Sequence, residues 1–74
     1  MKEHDTVVLT RSLPEHGLQA GDVGAIVHSY NSSTAFEVEF VSGGGETVAV
    51  VTLERDSLRP VESDEILHVR RVSV

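Results

Sequence analysis

The sequence contains no cysteine and no tryptophan, and its 74 residues include one tyrosine, two phenylalanines and two prolines. Without cysteine, the chain has no disulfide framework, no thiolate zinc site and no cysteine nucleophile. So few aromatic rings also argue against a proline-peptide groove or a methyl-lysine cage, since such sites normally need several exposed rings. The absence of cysteine fits a reducing cytoplasm.

Long apolar runs and basic residues are also scarce. The N-terminal stretch MKEHDTVVLTRS carries an apolar run of only three, so it resembles neither a signal peptide nor a membrane span, and we expect a soluble cytoplasmic protein. Six basic residues against twelve acidic ones leave a net charge of −6. This balance opposes binding to phosphate backbones, because nucleic-acid binders usually show a basic patch. An acidic chain would instead attract a partner with a basic face.

Short β-branched segments alternate with turn signals along the chain. Residues 6–13, 23–30, 35–41 and 47–53 read as strands, and a 3₁₀ or short helical turn in ERDSLRPV precedes a brief last strand. In AFEVEFV, Phe36, Val38 and Phe40 alternate with Glu37 and Glu39, which is the period of a half-buried antiparallel strand. The sequence therefore predicts an all-β fold, a small five-stranded SH3-like barrel with one single-turn helix before the last strand. An open sandwich is the alternative.

The glycine-rich segment HGLQAGDVGAIVHSY, residues 16–30, could be a ligand loop or a barrel corner. Pro14 and Gly17 punctuate a single helical turn, and Gly21 with Asp22 forms a turn dipeptide. Gly24 lies just inside the next strand and indicates a bulge or a close approach of backbones. A phosphate loop is disfavoured because its lysine is missing and the glycines precede a strand rather than a helix. We therefore interpret the segment as a corner.

The order of the segments VVLT, LPEHGLQAGDVGAIVHSY, AFEVEFV and TVAVVTLERDSLRPV resembles a bacterial family of small proteins, about as long as this chain, known as a domain of unknown function. Segments similar to GDVG, FEVEF and VVTL recur in that family, and the resemblance implies an SH3-like barrel. It covers about residues 5–61. A weaker likeness links Gly21, Asp22, Gly24 and Ile26 to KOW-type barrels of ribosome and transcription proteins. The expected organisation is a barrel over residues 1–61 and a C-terminal extension over residues 62–74.

Residues that could support catalysis or metal binding are present but poorly spaced for it. The four histidines form no HxH or HxxxH pair, so a metal site would need separate elements to converge on Glu37 or Glu39. His28 is expected to lie across the hairpin from a glutamate as an exposed pair. The two glutamates share one strand face about 7 Å apart, in a chain too small to desolvate them. We expect no enzyme activity, no metal and no cofactor.

Protein binding has the best support from the sequence. If Ala49, Val51 and Leu53 face the core, Val48 and Val50 lie on the outside, and an exposed apolar strand often marks an interface. Tyr30 is the one aromatic residue available for such a surface. The predicted partner-binding residues are Tyr30, Glu37, Glu39, Val48 and Val50.

The leading hypothesis is a non-catalytic protein–protein interaction module, such as an accessory subunit or the neutralising partner of a basic protein, for example a toxin. The alternative is a nucleic-acid or ribosome-associated KOW-like barrel, which requires Arg55, Arg59, Arg70 and Arg71 to converge on one face. An enzyme using His28 and a carboxylate ranks third. Residues 62–74 could add a strand to their own fold, form a homodimer or partner contact, or stay disordered.

Overall fold

Five strands and three one-turn 3₁₀ segments make up the computed structural model, which describes residues 1–72. The strands are β1 (Thr6–Leu9), β2 (Val23–Tyr30), β3 (Ala35–Val41), β4 (Thr47–Glu54) and β5 (Leu58–Pro60). The 3₁₀ segments are Pro14–His16, Asn31–Ser33 and Arg55–Ser57. The predicted all-β fold with five antiparallel strands is confirmed. The single turn expected before the last strand is the 3₁₀ segment Arg55–Ser57. No helix among the described residues is long and apolar enough to cross a membrane.

The strands form one antiparallel sheet in the order β4-β3-β2-β1-β5. Within residues 1–72, β4 and β5 do not pair with each other, so the sheet is not closed and the predicted barrel is not confirmed. One hydrophobic cluster nevertheless contains Leu53 from β4 and Leu58 from β5. Because both edge strands contribute to the same core, the sheet must curve around it.

The core is built from one face of each strand and from two leucines of the corner between β1 and β2. The alternation predicted for β3 is confirmed, since Phe36 and Val38 are fully buried and Phe40 is 3% exposed. The buried cluster consists of Val7, Leu9, Leu13, Leu18, Ile26, Phe36, Val38, Phe40, Leu53 and Leu58. The core is therefore small, and each of its large side chains carries much of the stability.

The corner between β1 and β2 depends on two glycines with positive φ. Gly17 (φ 70°) ends the 3₁₀ turn, and its N–H donates to the Pro14 carbonyl at 3.0 Å. Gly21 (φ 96°) donates its N–H to the Leu9 carbonyl at 2.7 Å. Residues with a Cβ rarely adopt this left-handed backbone. The interpretation of this segment as a turn is confirmed.

The first strand is shorter than predicted, since it ends at Leu9 and not at Leu13. Leu13 instead forms an isolated bridge with Leu18, which closes the small loop around the 3₁₀ turn. Pro14 has no N–H to donate to a ladder and begins that turn. The strand was predicted too long because Leu13 is buried like a strand residue, although the chain has already left the sheet after Leu9.

Two β-bulges change which face the neighbouring side chains occupy. In the β2–β3 ladder, Ile26 pairs with Val38 and His28 pairs with Glu37, which leaves Val27 as the extra residue. The β3–β4 register also shifts, because Phe40 pairs with Ala49 whereas Val41 pairs with Thr47, and Val48 is unpaired. A bulge shifts the two-residue alternation by one position, so residues beyond it turn to the opposite face.

The C-terminal segment beyond β5 contains neither helix nor strand from residue 61 to residue 72. Within this segment, the Glu65 N–H donates to the Glu62 carbonyl at 3.1 Å and closes a turn. The described part of this segment therefore adds no strand to the sheet. The expectations for Ser73 and Val74 lie outside the described residues.

Candidate protein-binding face

Four of the five predicted binding residues lie on the face of the sheet opposite the core. Glu37 stands between His28 of β2 and Thr52 of β4, and Glu39 stands across from Val50. Side chains of directly opposite residues share a face. We call this surface the acidic face, and it comprises His28, Tyr30, Glu37, Glu39, Thr47, Val50 and Thr52.

The bulge at Val27 brings His28 and Tyr30 to the acidic face. Ile26 points into the core, so strict alternation would also have sent His28 and Tyr30 inward. The extra residue shifts the alternation, and His28 pairs with Glu37 instead. The two rings contact each other edge to face, with centroids 4.5 Å apart. Tyr30, which is 36% exposed and pairs with Ala35, therefore lies on the same face as the carboxylates.

Both glutamates of the acidic face are held by threonines of β4. The Thr47 hydroxyl donates to Glu39 Oε2 at 2.7 Å, and the Thr52 hydroxyl donates to Glu37 Oε1. Each carboxylate therefore leans over β4. Within residues 1–72, the second oxygen of each glutamate accepts no hydrogen bond from the protein and can accept one from a partner's cation.

The stretch of sequence that contains these glutamates carries acidic side chains but no lysine or arginine. From residue 12 to residue 54 the chain contains no lysine and no arginine, whereas it contains the acids Glu15, Asp22, Glu37, Glu39, Glu46 and Glu54. Strands β2, β3 and β4 lie wholly within that stretch. Strands β2, β3 and β4 therefore supply no lysine or arginine to these carboxylates.

His28 occupies the register position predicted for it, but its nearest carboxylate comes from elsewhere. It lies across from Glu37 in the ladder, whereas its Nδ1 is 3.8 Å from Oε2 of Glu3, which precedes β1. Both side chains are about half exposed. Within the described part of the chain, no group of three or more histidine, aspartate or glutamate side chains could hold a metal ion.

The two valines predicted to lie outside on β4 have different surroundings. Val50 is 49% exposed on the acidic face, next to Glu39. Val48 is half-buried and packs against the core, as do Ala49 and Val51. The expected position thus holds for Val50 but not for Val48, because Val48 is the extra residue of the β4 bulge and alternation does not apply to it.

Val48 also lines a cleft of about 790 Å³ between the end of the sheet and the C-terminal segment. Arg70 holds that segment in place, since its guanidinium forms two hydrogen bonds with the Asp22 carboxylate and one with the Gly17 carbonyl. The hydrogen bond from Arg70 lowers the pKa of Asp22 below its usual value. The cleft is lined by apolar residues from both sides, namely Leu18, Val23, Phe40, Val41, Val48, Leu67, Val69 and Val72.

The four arginines required for a nucleic-acid surface have different contacts. Arg55 donates to the Ser33 carbonyl at 2.9 and 3.1 Å. Arg59 pairs with Glu65 and lowers the pKa of that carboxyl to about 2. Arg70 is bound to Asp22, as described above. Three of the four guanidinium groups are therefore bound to protein acceptors at different places and do not form one basic patch.

The sequence reasoning missed the threonines that orient the glutamates and the ion pair that holds the C-terminal segment. Thr47 and Thr52 could be matched to Glu39 and Glu37 only with the β3–β4 register, which a bulge shifts. Asp22 and Arg70 are 48 positions apart, and nothing local in the sequence links them. The tertiary structure was needed to find either contact.

The structure defines a small all-β domain with a five-stranded antiparallel sheet and two threonine-bound glutamates on the face opposite the core. Residues 3–60 match the family described as Domain of unknown function (DUF4926), and the chain belongs to that family. No curated protein and no solved structure matches the chain. The family match ends at the last residue of β5, so the C-terminal segment with Arg70 lies outside it.

Proposed function

We propose that this protein is a non-catalytic protein–protein interaction module whose acidic face binds a basic protein. The observation that carries the proposal is the pair Glu37 and Glu39, each held by a threonine and each with an oxygen free for a cation. In this proposal the domain is an SH3-like barrel left open between β4 and β5, and it acts in the bacterial cytoplasm. It would serve as an accessory subunit or as the neutralising partner of a basic protein such as a toxin.

Apolar side chains beside the carboxylates support a protein partner over a free cation. Val50 is 49% exposed and Tyr30 is 36% exposed, and both lie on the acidic face. Tyrosine is enriched at protein interfaces, where apolar area gives affinity and rim charges increase the association rate. Val48 packs against the core and lines the cleft, so it lies outside the acidic face.

The test compares two doubly substituted proteins of equal charge as immobilised baits in native lysate. Glu37→Gln with Glu39→Gln removes the two carboxylates of the acidic face. Glu15→Gln with Asp64→Asn removes two exposed carboxylates elsewhere and is the matched control. We expect one stoichiometric basic protein on the wild type and on the control, released by salt and absent from the acidic-face variant. Equal capture by all three baits, or no stoichiometric partner on any, contradicts the proposal.

A homodimer through residues 62–74 remains a second proposed assembly. Ile66 is 92% exposed and Val69 is 88% exposed, an unusual exposure for two apolar side chains so close in sequence. Light scattering on the full chain and on a chain ending at Val61 tests this contact. A dimer that becomes a monomer on truncation supports it, and a full chain that is monomeric at high concentration contradicts it.

A further inference from the structure

Strand β4 forms an open edge of the sheet. It runs over Thr47–Glu54 and pairs with β3, and within residues 1–72 nothing pairs with its other side. Residues 47–53 carry no charge and no proline, although these are the usual means of blocking an edge. Every second residue of this strand directs its N–H and C=O away from β3, so these backbone groups are available to a further strand.

The protein's own C-terminal segment does not occupy this edge. Arg70 fixes that segment to Asp22 and Gly17 at the corner between β1 and β2. Residues 66–72 form no strand, and the described residues contain no backbone hydrogen bond between them and β4. The edge is accordingly open in the single chain.

The two faces beside the edge have different chemistry. On the core side, Ala49 and Val51 are half-buried, so apolar side chains from an added strand would complete their burial. On the acidic face, Glu37 and Glu39 lean over β4 because they accept hydrogen bonds from its threonines. An added strand would lie about 4.8 Å from β4, which brings the guanidinium of a long side chain within reach of both carboxylates.

We propose that β4 binds an extended segment of the partner protein as a sixth strand, and that this segment alternates apolar with basic residues. Its apolar residues would pack beside Ala49 and Val51, and its basic residues would pair with Glu37 and Glu39. Backbone hydrogen bonds supply affinity in this mode of recognition, and the alternate side chains supply specificity. The inference rests on the proposed function and specifies how the partner is recognised.

The experiment uses the ¹⁵N-labelled full chain and a capped ten-residue peptide of alternating valine and arginine. We expect chemical-shift changes and slowed hydrogen exchange at the β4 amides that point away from β3. A peptide N-methylated at every residue has no backbone N–H for the ladder and should not bind. Glu37→Gln with Glu39→Gln should weaken binding of the parent peptide roughly tenfold, as expected for the loss of two exposed ion pairs. Glu15→Gln with Asp64→Asn is again the control and should bind like wild type.

Four results would overturn strand addition. If the N-methylated peptide binds equally well, or the β4 amides stay unprotected while binding still requires Glu37 and Glu39, the acidic face binds basic groups without a sixth strand. The proposed function would survive that result. No shift at millimolar parent peptide rejects the alternating strand as the ligand. The β4 amides could also be protected from hydrogen exchange in a concentration-dependent way without peptide, with chemical-shift changes in residues 66–72. That result would assign the edge to a second copy of the chain.

Discussion

Substitution of Gly24 by alanine tests the close packing between β2 and β3. Gly24 is buried and pairs with Val7 of β1. A Cβ built on it would lie 2.8 Å from Val38 Cγ1, 2.9 Å from Phe40 Cε1 and 3.0 Å from the Glu39 carbonyl oxygen. These distances are shorter than carbon contacts at optimal separation, and one of the three atoms belongs to the backbone. The added methyl group therefore cannot be accommodated by side-chain rotation alone.

Two opposing contributions set the size of the effect. Overpacking of a core usually costs about 1–3 kcal/mol, whereas replacing glycine by alanine stabilises by about 0.4–1 kcal/mol through the unfolded chain. We therefore expect Gly24→Ala to lower the free energy of unfolding by about 1–2 kcal/mol. In a domain of this size, that change lowers Tm by roughly 5–15 °C.

The assay is urea and thermal unfolding monitored by circular dichroism, with Gly43→Ala as the matched control. A Cβ at Gly43 has no atom within 4 Å, so the control should be unchanged or slightly more stable. If Gly24→Ala is at least as stable as the wild type, β2 and β3 do not pack as closely as described.

Two further predictions concern the ion pair of the C-terminal segment and the core. Arg70→Ala should lower the urea midpoint at pH 5–7, because Asp22 has a lowered pKa in the folded state, and the stability this provides is present above the unfolded pKa of about 3.9. The difference from wild type should shrink as the pH falls below 4, and a difference that is constant from pH 2 to pH 7 would contradict the ion pair. Phe36→Ala removes a fully buried ring and should lower the free energy of unfolding by about 3–5 kcal/mol. This loss equals the total stability expected for a domain of this size. Proton NMR should then show an unfolded chain, and dispersed native shifts would refute the assigned core.

The positions of most strands could be predicted from the sequence because apolar alternation and turn signals are local patterns. The bounds of β2 and β3 agree with their prediction, since alternating apolar residues lie between clear turn signals. The 3₁₀ turn closed by Gly17 follows from proline and glycine at its two ends. The β1 end was misjudged because apolar periodicity does not reveal where the backbone leaves the sheet.

The amino-acid sequence by itself determined the all-β class, the acidic charge and the inward alternation of Phe36, Val38 and Phe40, since each depends on composition or on neighbours one or two positions away. Only the tertiary structure decided that the sheet stays open and that two bulges turn Tyr30 outward and Val48 inward. It alone also decided that Arg70 reaches Asp22. The physical reason is that strand register and long-range ion pairs depend on how distant segments pack, and their free energies leave no signature in the local sequence.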